Sequence, residues 1–164
     1  MKQRKKDSIK NVNPFEKFHK QWGLVTAGTK DKFNSMTIGW GTMGTLWSTP
    51  VVTIFIKPVR YTWEFIEKSD YFTVAFFDTK YKKALGIMGS KSGRDCDKVK
   101  LSGLTPKFLE NGITYEEASE TFVCKKIYSE QMNKEKFPEL AKRFYETEGE
   151  EPAHYMIIGE LVKV

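Results

Sequence analysis

Val51-Val52-Thr53-Ile54-Phe55-Ile56-Lys57-Pro58-Val59-Arg60-Tyr61-Thr62-Trp63-Glu64 is the stretch on which the fold turns. Its opening, Val51 to Ile56, is an unbroken β-branched and aromatic run, the pattern of a strand buried on both faces or lining a barrel. The period then changes. Thr62 is placed to cap a helix over Thr62–Glu67, with Glu64 in the first turn and Phe65 and Ile66 as its apolar positions. A strand that feeds a helix start leaves free backbone N–H groups beside the Thr62 hydroxyl. The helix dipole favours an anion at that spot, and Arg60 suits a bidentate contact to phosphate. Arginine, hydroxyl and free amides make a phosphate cradle without a glycine loop. The same residues also suit an ordinary capped helix with Arg60 in a surface ion pair.

Upstream, Trp22 to Thr29 has β-character and ends near Gly28, and Asp31 and Asn34 mark a turn. Met36 to Trp47 reads as a strand studded with Gly39, Gly41 and Gly44, and glycine inside a strand signals a bulge or a close backbone approach. Asn34-Ser35-Met36-Thr37-Ile38-Gly39-Trp40-Gly41 puts small and polar residues where a strand should be apolar. A planar heteroaromatic ring needs polar groups at its edge and apolar or aromatic residues over its faces. Asn34 and Thr37 can bond ring carbonyls or ribityl hydroxyls, the glycines allow close approach, and Met36, Trp40 and Trp47 supply polarisable walls. A glycine-kinked barrel strand with core aromatics reads equally well.

Downstream, Tyr71 to Phe77 returns to strand. Thr79 to Met88 is helical, with Tyr81, Ala84, Leu85 and Met88 on one stripe. Gly103 and Pro106 break the chain. Lys107 to Leu109 and Thr121 to Tyr128 read as strands. Asn133 to Thr147 reads as a surface helix with Phe137, Leu140, Ala141 and Phe144 facing in. His154 to Val164 is a final strand. Many short strands and few helices favour a mainly β single domain, a closed antiparallel barrel with helices packed outside.

With 164 residues, 40% of them hydrophobic, the chain has the size and apolar content of a single domain. No apolar run approaches the roughly 20 residues a membrane span needs. Residues 1–13 read as a flexible basic leader and 14–164 as the domain; the polar start lacks the apolar segment of a secretory signal, so a cytoplasmic location is expected. Two cysteines, Cys96 and Cys124, stand far apart without companion ligands, so no metal site and two free thiols are expected. The net charge of +6 sits partly in Lys2, Arg4, Lys5, Lys6 and Lys10. Elsewhere both signs alternate, as in Glu64, Glu67, Lys68 and Asp70, the pattern of a solvated surface rather than a nucleic-acid stripe. The modest excess suits small phosphorylated anions.

Ser90, Ser92, Gly93, Arg94, Asp95 and Lys98 form a polar loop that can wrap a cofactor phosphate or a nicotinamide substrate, or can simply be solvated. Cys96 within it reads as a bystander. His19 is assigned no role. No catalytic triad, carboxylate dyad or metal set is legible.

Asn34-Ser35-Met36-Thr37-Ile38-Gly39-Trp40, Leu46-Trp47-Ser48-Thr49-Pro50, Arg60-Tyr61-Thr62, Phe72-Thr73-Val74, Ser92-Gly93-Arg94-Asp95, Asp97-Lys98, Gly103-Leu104-Thr105, His154 and Gly159-Glu160 follow one another in an order that resembles the flavin reductase-like family of FMN-binding split β-barrels. Flavoredoxin-type proteins and NAD(P)H:flavin oxidoreductases belong to that group. The resemblance runs from about residue 20 to the end. It implies a homodimer with FMN near the subunit interface. The cofactor would be held by Asn34, Ser35, Met36 and Thr37, by Arg60, Tyr61 and Thr62, and by the loop carrying Ser90, Ser92, Arg94 and Lys98. His154 is then the expected catalytic residue beside the flavin or the hydride donor, and Lys98 or Arg94 the group that stabilises the reduced anionic flavin. Such proteins move hydride from NADH or NADPH to flavin, chemistry owned by the cofactors, or carry electrons without nicotinamide turnover. Relatives in the superfamily also bind haem or pyridoxine phosphate, so fold alone leaves the ligand open.

Overall fold

The computed structural model describes residues 11–146 and 151–163. The lysine-rich run from Lys2 to Lys10 lies outside the described residues, as do Thr147 and Val164. Val12, inside the stretch read as leader, packs against the core.

The strands are β1 (Gly23–Gly28), β2 (Phe33–Ile38), β3 (Gly41–Leu46), β4 (Thr49–Ile56), β5 (Tyr71–Phe77), β6 (Pro106–Leu109), β7 (Gly112–Tyr115), β8 (Ala118–Gln131) and β9 (Tyr155–Lys163). The α-helices among the described residues are α1 (Tyr61–Lys68), α2 (Lys82–Ser90), α3 (Lys98–Ser102) and α4 (Glu139–Lys142), and Glu16–Gln21 forms one π-helical turn ahead of β1. A seven-stranded antiparallel sheet runs in the order β2-β1-β5-β8-β9-β4-β3, and β6-β7 form a separate hairpin. β2 and β3 occupy opposite edges of the sheet, yet only Gly39 and Trp40 lie between them. The step from Ile38 to Gly41 spans roughly 10 Å at most, so the sheet has to roll until its edges approach. The fold is therefore a barrel split beside that link, mainly β with flanking helices, as the sequence leads one to expect.

Side-chain alternation along the central strands explains why the core has two parts. Val25, Val74, Phe76 and Phe122 fill the barrel interior with Ile54 and Ile157. Their neighbours Leu24, Ala75 and Phe77 point outward, under Leu85 and Met88 of α2 and Tyr115 of β7. Val51 to Ile56 is buried along almost its whole length, as expected for a run without polar alternation.

Some expectations need correction. Asn34 belongs to β2 rather than to a turn, and Met36–Trp47 is two strands broken at Gly39-Trp40. Trp47 and Ser48 turn the β3–β4 hairpin with positive φ, 50° and 60°. Asn133–Thr147 is not one helix: a 3₁₀ turn over Lys134–Lys136 and the short α4 flank Pro138, whose ring cannot continue a helix. Leu140 is 67% exposed and Phe144 38%, while the inward residue of this segment is Tyr145, 5% exposed.

Candidate functional site

The β4–α1 junction is built by local bonds. Arg60 N–H donates to the Lys57 carbonyl and Trp63 N–H to the Arg60 carbonyl, each at 3.0 Å. Arg60 takes the N-cap position in extended backbone (φ −75°, ψ 138°), and no side chain caps the helix. Thr62 is thus not the cap. It sits buried in the first turn, and its hydroxyl accepts a hydrogen bond from Asn34 Nδ2 at 2.8 Å. That bond ties β2 to the helix start. The first-turn amides are left without a capping oxygen from the chain, the condition under which a helix start attracts an anion.

A cleft of about 300 Å³ opens at this junction, lined by Asn34, Met36, Arg60, Tyr61, Thr62, Ser90, Ser92, Arg94 and Lys98 among others. Nine of the cofactor-binding residues expected from sequence therefore meet in one place. Gly93 is what lets the loop close on it: a Cβ there would fall 2.2 Å from Asn34 Oδ1 and 3.0 Å from the Tyr61 ring. Among the described residues the Arg60 guanidinium has no hydrogen bond or ion pair within the chain, and the Ser90 hydroxyl has no partner. Arg94 is engaged instead. It pairs with Glu64, donates to the Val59 carbonyl at 3.3 Å and lies 4.9 Å from the Tyr61 ring, so it clamps the loop onto α1.

Lys98 is 4% exposed, and its ammonium donates to the Met88 and Lys91 carbonyls at 3.0 and 3.2 Å, closing the open end of α2. Burial lowers its pKa to about 8, Cys96 opposes that shift, and Arg60 adds to it. The Asp97 carboxylate caps α3 by accepting from Lys100 N–H at 3.0 Å, which fixes where Lys98 starts the helix. The Cys96 thiol points to the Ser92 carbonyl at 3.6 Å, and burial pushes the Cys124 thiol up.

A second cleft of about 240 Å³ adjoins the first and shares Met36 and Arg60 with it. Thr37, Ile38, Gly39, Trp40, Phe55, Lys57, Phe144 and His154 complete its lining. The Trp40 ring stands 4.9 Å from Phe144 and 5.1 Å from His154. His154 is buried, and Tyr145 Oη lies 2.6 Å from its Nδ1. Burial first, then Lys57 and Arg60, lower the His154 pKa to about 4, with Glu151 opposing. The ring is therefore neutral at neutral pH.

Other expected residues fall elsewhere. The Ser35 hydroxyl turns away from the clefts, into a buried chain with Thr26 at 2.7 Å and Tyr115 at 2.6 Å. Ser35 is fully buried and lines neither cleft. Trp47 is 70% exposed on its hairpin turn and lines neither cleft. Gly41 makes room for Phe18, whose ring would lie 2.4 Å from an added Cβ, and Gly44 has no neighbour where a Cβ would stand; of the three glycines only Gly39 borders either of these two clefts. Lys57 and Tyr145 were missed. Lys57 follows a buried strand, which marks it weakly, while nothing local marks Tyr145. No group of three or more His, Cys, Asp or Glu residues among those described could hold a metal ion, and no described helix is long and apolar enough to cross a membrane.

Residues 15–164 match the flavin reductase like domain. Solved structures with the same fold include a flavoredoxin from Methanosarcina acetivorans, at 21% identity and a TM-score of 0.68 over 87% of this chain and 66% of that one. An FMN-binding protein from Thermus thermophilus with bound 1-cyclohex-2-enone aligns at 19% identity and TM-score 0.68, covering 89% of this chain and 71% of its own. A flavoredoxin from Desulfovibrio vulgaris aligns at 21% identity and TM-score 0.66, covering 87% and 67%. This chain thus spans about two thirds of the flavoredoxin lengths. No curated protein sequence matches it. With nearly the whole chain matched and the split barrel in common, the chain belongs to the flavin reductase-like family.

Proposed function

We propose that the chain binds FMN along the two adjoining clefts and passes electrons from reduced nicotinamide through the flavin to an acceptor. The observation that carries this reading is the 2.8 Å bond from Asn34 to Thr62, which joins the segment expected to meet a ring to the segment expected to meet a phosphate. The FMN-binding and flavoredoxin relatives support it.

The residues present fit the group. Arg60, which has no ion pair among the described residues, the uncapped start of α1 and the Ser90 hydroxyl form a donor set for a phosphate, and Lys98 adds charge beneath it. Met36 and Trp40 offer the polarisable surfaces a flat ring requires. When bound, the flavin supplies a two-electron acceptor whose ring takes hydride from NAD(P)H and gives electrons onward. His154, neutral and beside Trp40, contributes a hydrogen bond to a polar edge without introducing a charge. Arg94 and Glu64 hold the loop shut over α1 rather than meeting the ligand. Lys98, committed to two carbonyls, acts mainly as a fixed charge under the cleft. The working unit in this reading is a cytoplasmic homodimer.

Titration with FMN, followed by anaerobic addition of NADH or NADPH, tests the proposal. Quenched flavin fluorescence and a visible flavin band that bleaches with a nucleotide are the expected results. A yellow protein idle with both nucleotides makes it an electron carrier. A protein that stays colourless with FMN, or shows a haem spectrum, contradicts the proposal.

A further inference from the structure

Tyr145 is the most deeply placed side chain of its segment, and no motif marks it. Its backbone is held from both sides, with its N–H donating to the Lys142 carbonyl at 2.9 Å and its carbonyl accepting from Glu151 N–H at 3.2 Å. The ring packs 5.0 Å from Phe137, and Lys57 Nζ lies 5.2 Å from its centroid. All of this aims one hydroxyl at His154 Nδ1, 2.6 Å away.

The direction of that bond follows from the burial of the phenol. Tyr145 is buried, and burial raises the phenol pKa, so the hydroxyl keeps its proton. A buried phenol proton needs an acceptor of its own. Among the described residues Nδ1 is the hydrogen-bond partner of this hydroxyl. An accepting Nδ1 leaves the proton of a neutral imidazole on Nε2. The His154 peptide offers its carbonyl to Met132 N–H at 3.0 Å, which fixes the residue's place at the cleft wall.

We propose that Tyr145 is a positioning residue that locks His154 in the Nε2–H tautomer, so that the second cleft presents a neutral hydrogen-bond donor beside Trp40. The ligand class such a wall takes is a planar molecule bearing a carbonyl or carboxamide oxygen. A protonated imidazolium would lose this selectivity, because it would accept nothing from Tyr145 and would crowd against Arg60 and Lys57. The charged and titratable groups that face the ring are Lys57, Arg60, Glu151 and Tyr145. Lys57 is itself paired with Glu151. The cations and burial both oppose protonation, and the phenol hydrogen bond selects between the two neutral forms. The tautomer is a property of the chain; only what the donor meets rests on the flavin reading.

Nitrogen NMR of the histidine rings tests this on the full chain without flavin. The chain has two histidines, and the exposed His19 serves as internal reference. The expected result at neutral pH is a protonated Nε2 and a bare Nδ1 for His154, persisting as the pH falls well below the ordinary histidine range. Tyr145→Phe is expected to mix the two tautomers and raise the pH at which the ring takes a proton. A His154 protonated on Nδ1 in the unaltered chain overturns the proposal, as does an unchanged ring in Tyr145→Phe. If that variant does not fold, the tautomer of the unaltered chain decides. FMN fluorescence quenching is read separately. Nε2–H without FMN binding keeps this assignment and removes the flavin reading, whereas FMN binding with Nδ1–H does the reverse.

Discussion

The first and second clefts share Arg60 and Met36 but treat a buried titratable group in opposite ways. In the first, burial brings Lys98 down to about 8, which leaves it charged at neutral pH beneath an uncapped helix start. In the second, burial helped by Lys57 and Arg60 brings His154 down to about 4, which leaves it neutral against Trp40. The same physical cause therefore leaves a charged ammonium in one chamber and a neutral imidazole in the other, because the two groups start from different ordinary values. A ligand that is a phosphate at one end and a polar-edged ring at the other complements both. Neither chamber alone would specify it.

The largest expected effect falls on the residue both clefts share. Arg60→Gln removes the guanidinium, and loss of a charge-assisted phosphate contact worth about 2 kcal/mol weakens FMN roughly 30-fold. Riboflavin, which lacks the phosphate, should lose far less. Equal losses for the two ligands, measured by fluorescence quenching, would erase the division of labour between the clefts. Gly93→Ala comes next. Its methyl would intrude on Asn34 and Tyr61, so the loop must retreat from the Asn34–Thr62 bond. A stability loss of about 1–3 kcal/mol in denaturant unfolding, together with weaker FMN binding, is expected.

How much of this was legible in sequence depends on how local the cause is. The run from Val51 to Glu64 declares a buried strand and a helix start within fourteen consecutive residues, and both are present. The cap was misassigned because the Thr62 hydroxyl is taken by Asn34, a partner 28 positions away that no local rule supplies. The strand break at Gly39-Trp40 is a consequence of closing the sheet, so it is visible only once the strand order is known. Residues 133–147 carry a helical spacing of apolar side chains, but Pro138 stops the helix and brings Tyr145 inward in place of Phe144. Lys98 is a charge in a polar loop by sequence. Its burial depends on carbonyls at the end of α2.

The pH dependences separate the clefts further. Lys98 holds its proton to about 10.5 in the unfolded chain but only to about 8 in the folded one. Between those values the unfolded state binds more protons, so the stability of the flavin-free chain gains from this group as pH rises. FMN affinity moves the other way, falling as pH climbs through about 8 and the ammonium discharges; a Lys98→Met variant should lack both trends. His154 goes from 6.5 unfolded to about 4 folded, so the stability from its neutral ring is complete above 6.5 and is lost as pH falls toward 4. His154→Gln should flatten that acid slope in thermal unfolding. The smallest effect is expected at Trp47, which borders neither cleft. Trp47→Asn, a residue that tolerates the left-handed turn conformation, should leave FMN affinity unchanged and add about 0.5 kcal/mol of stability.

A crystal structure of the full chain grown with FMN puts the division between the clefts to its most direct test. The phosphate is expected at the start of α1, within hydrogen-bond distance of Arg60 and the Tyr61 and Thr62 amides, with the ring edge toward Trp40 and His154. A phosphate bound away from that helix start, or FMN seated outside both clefts, would contradict it.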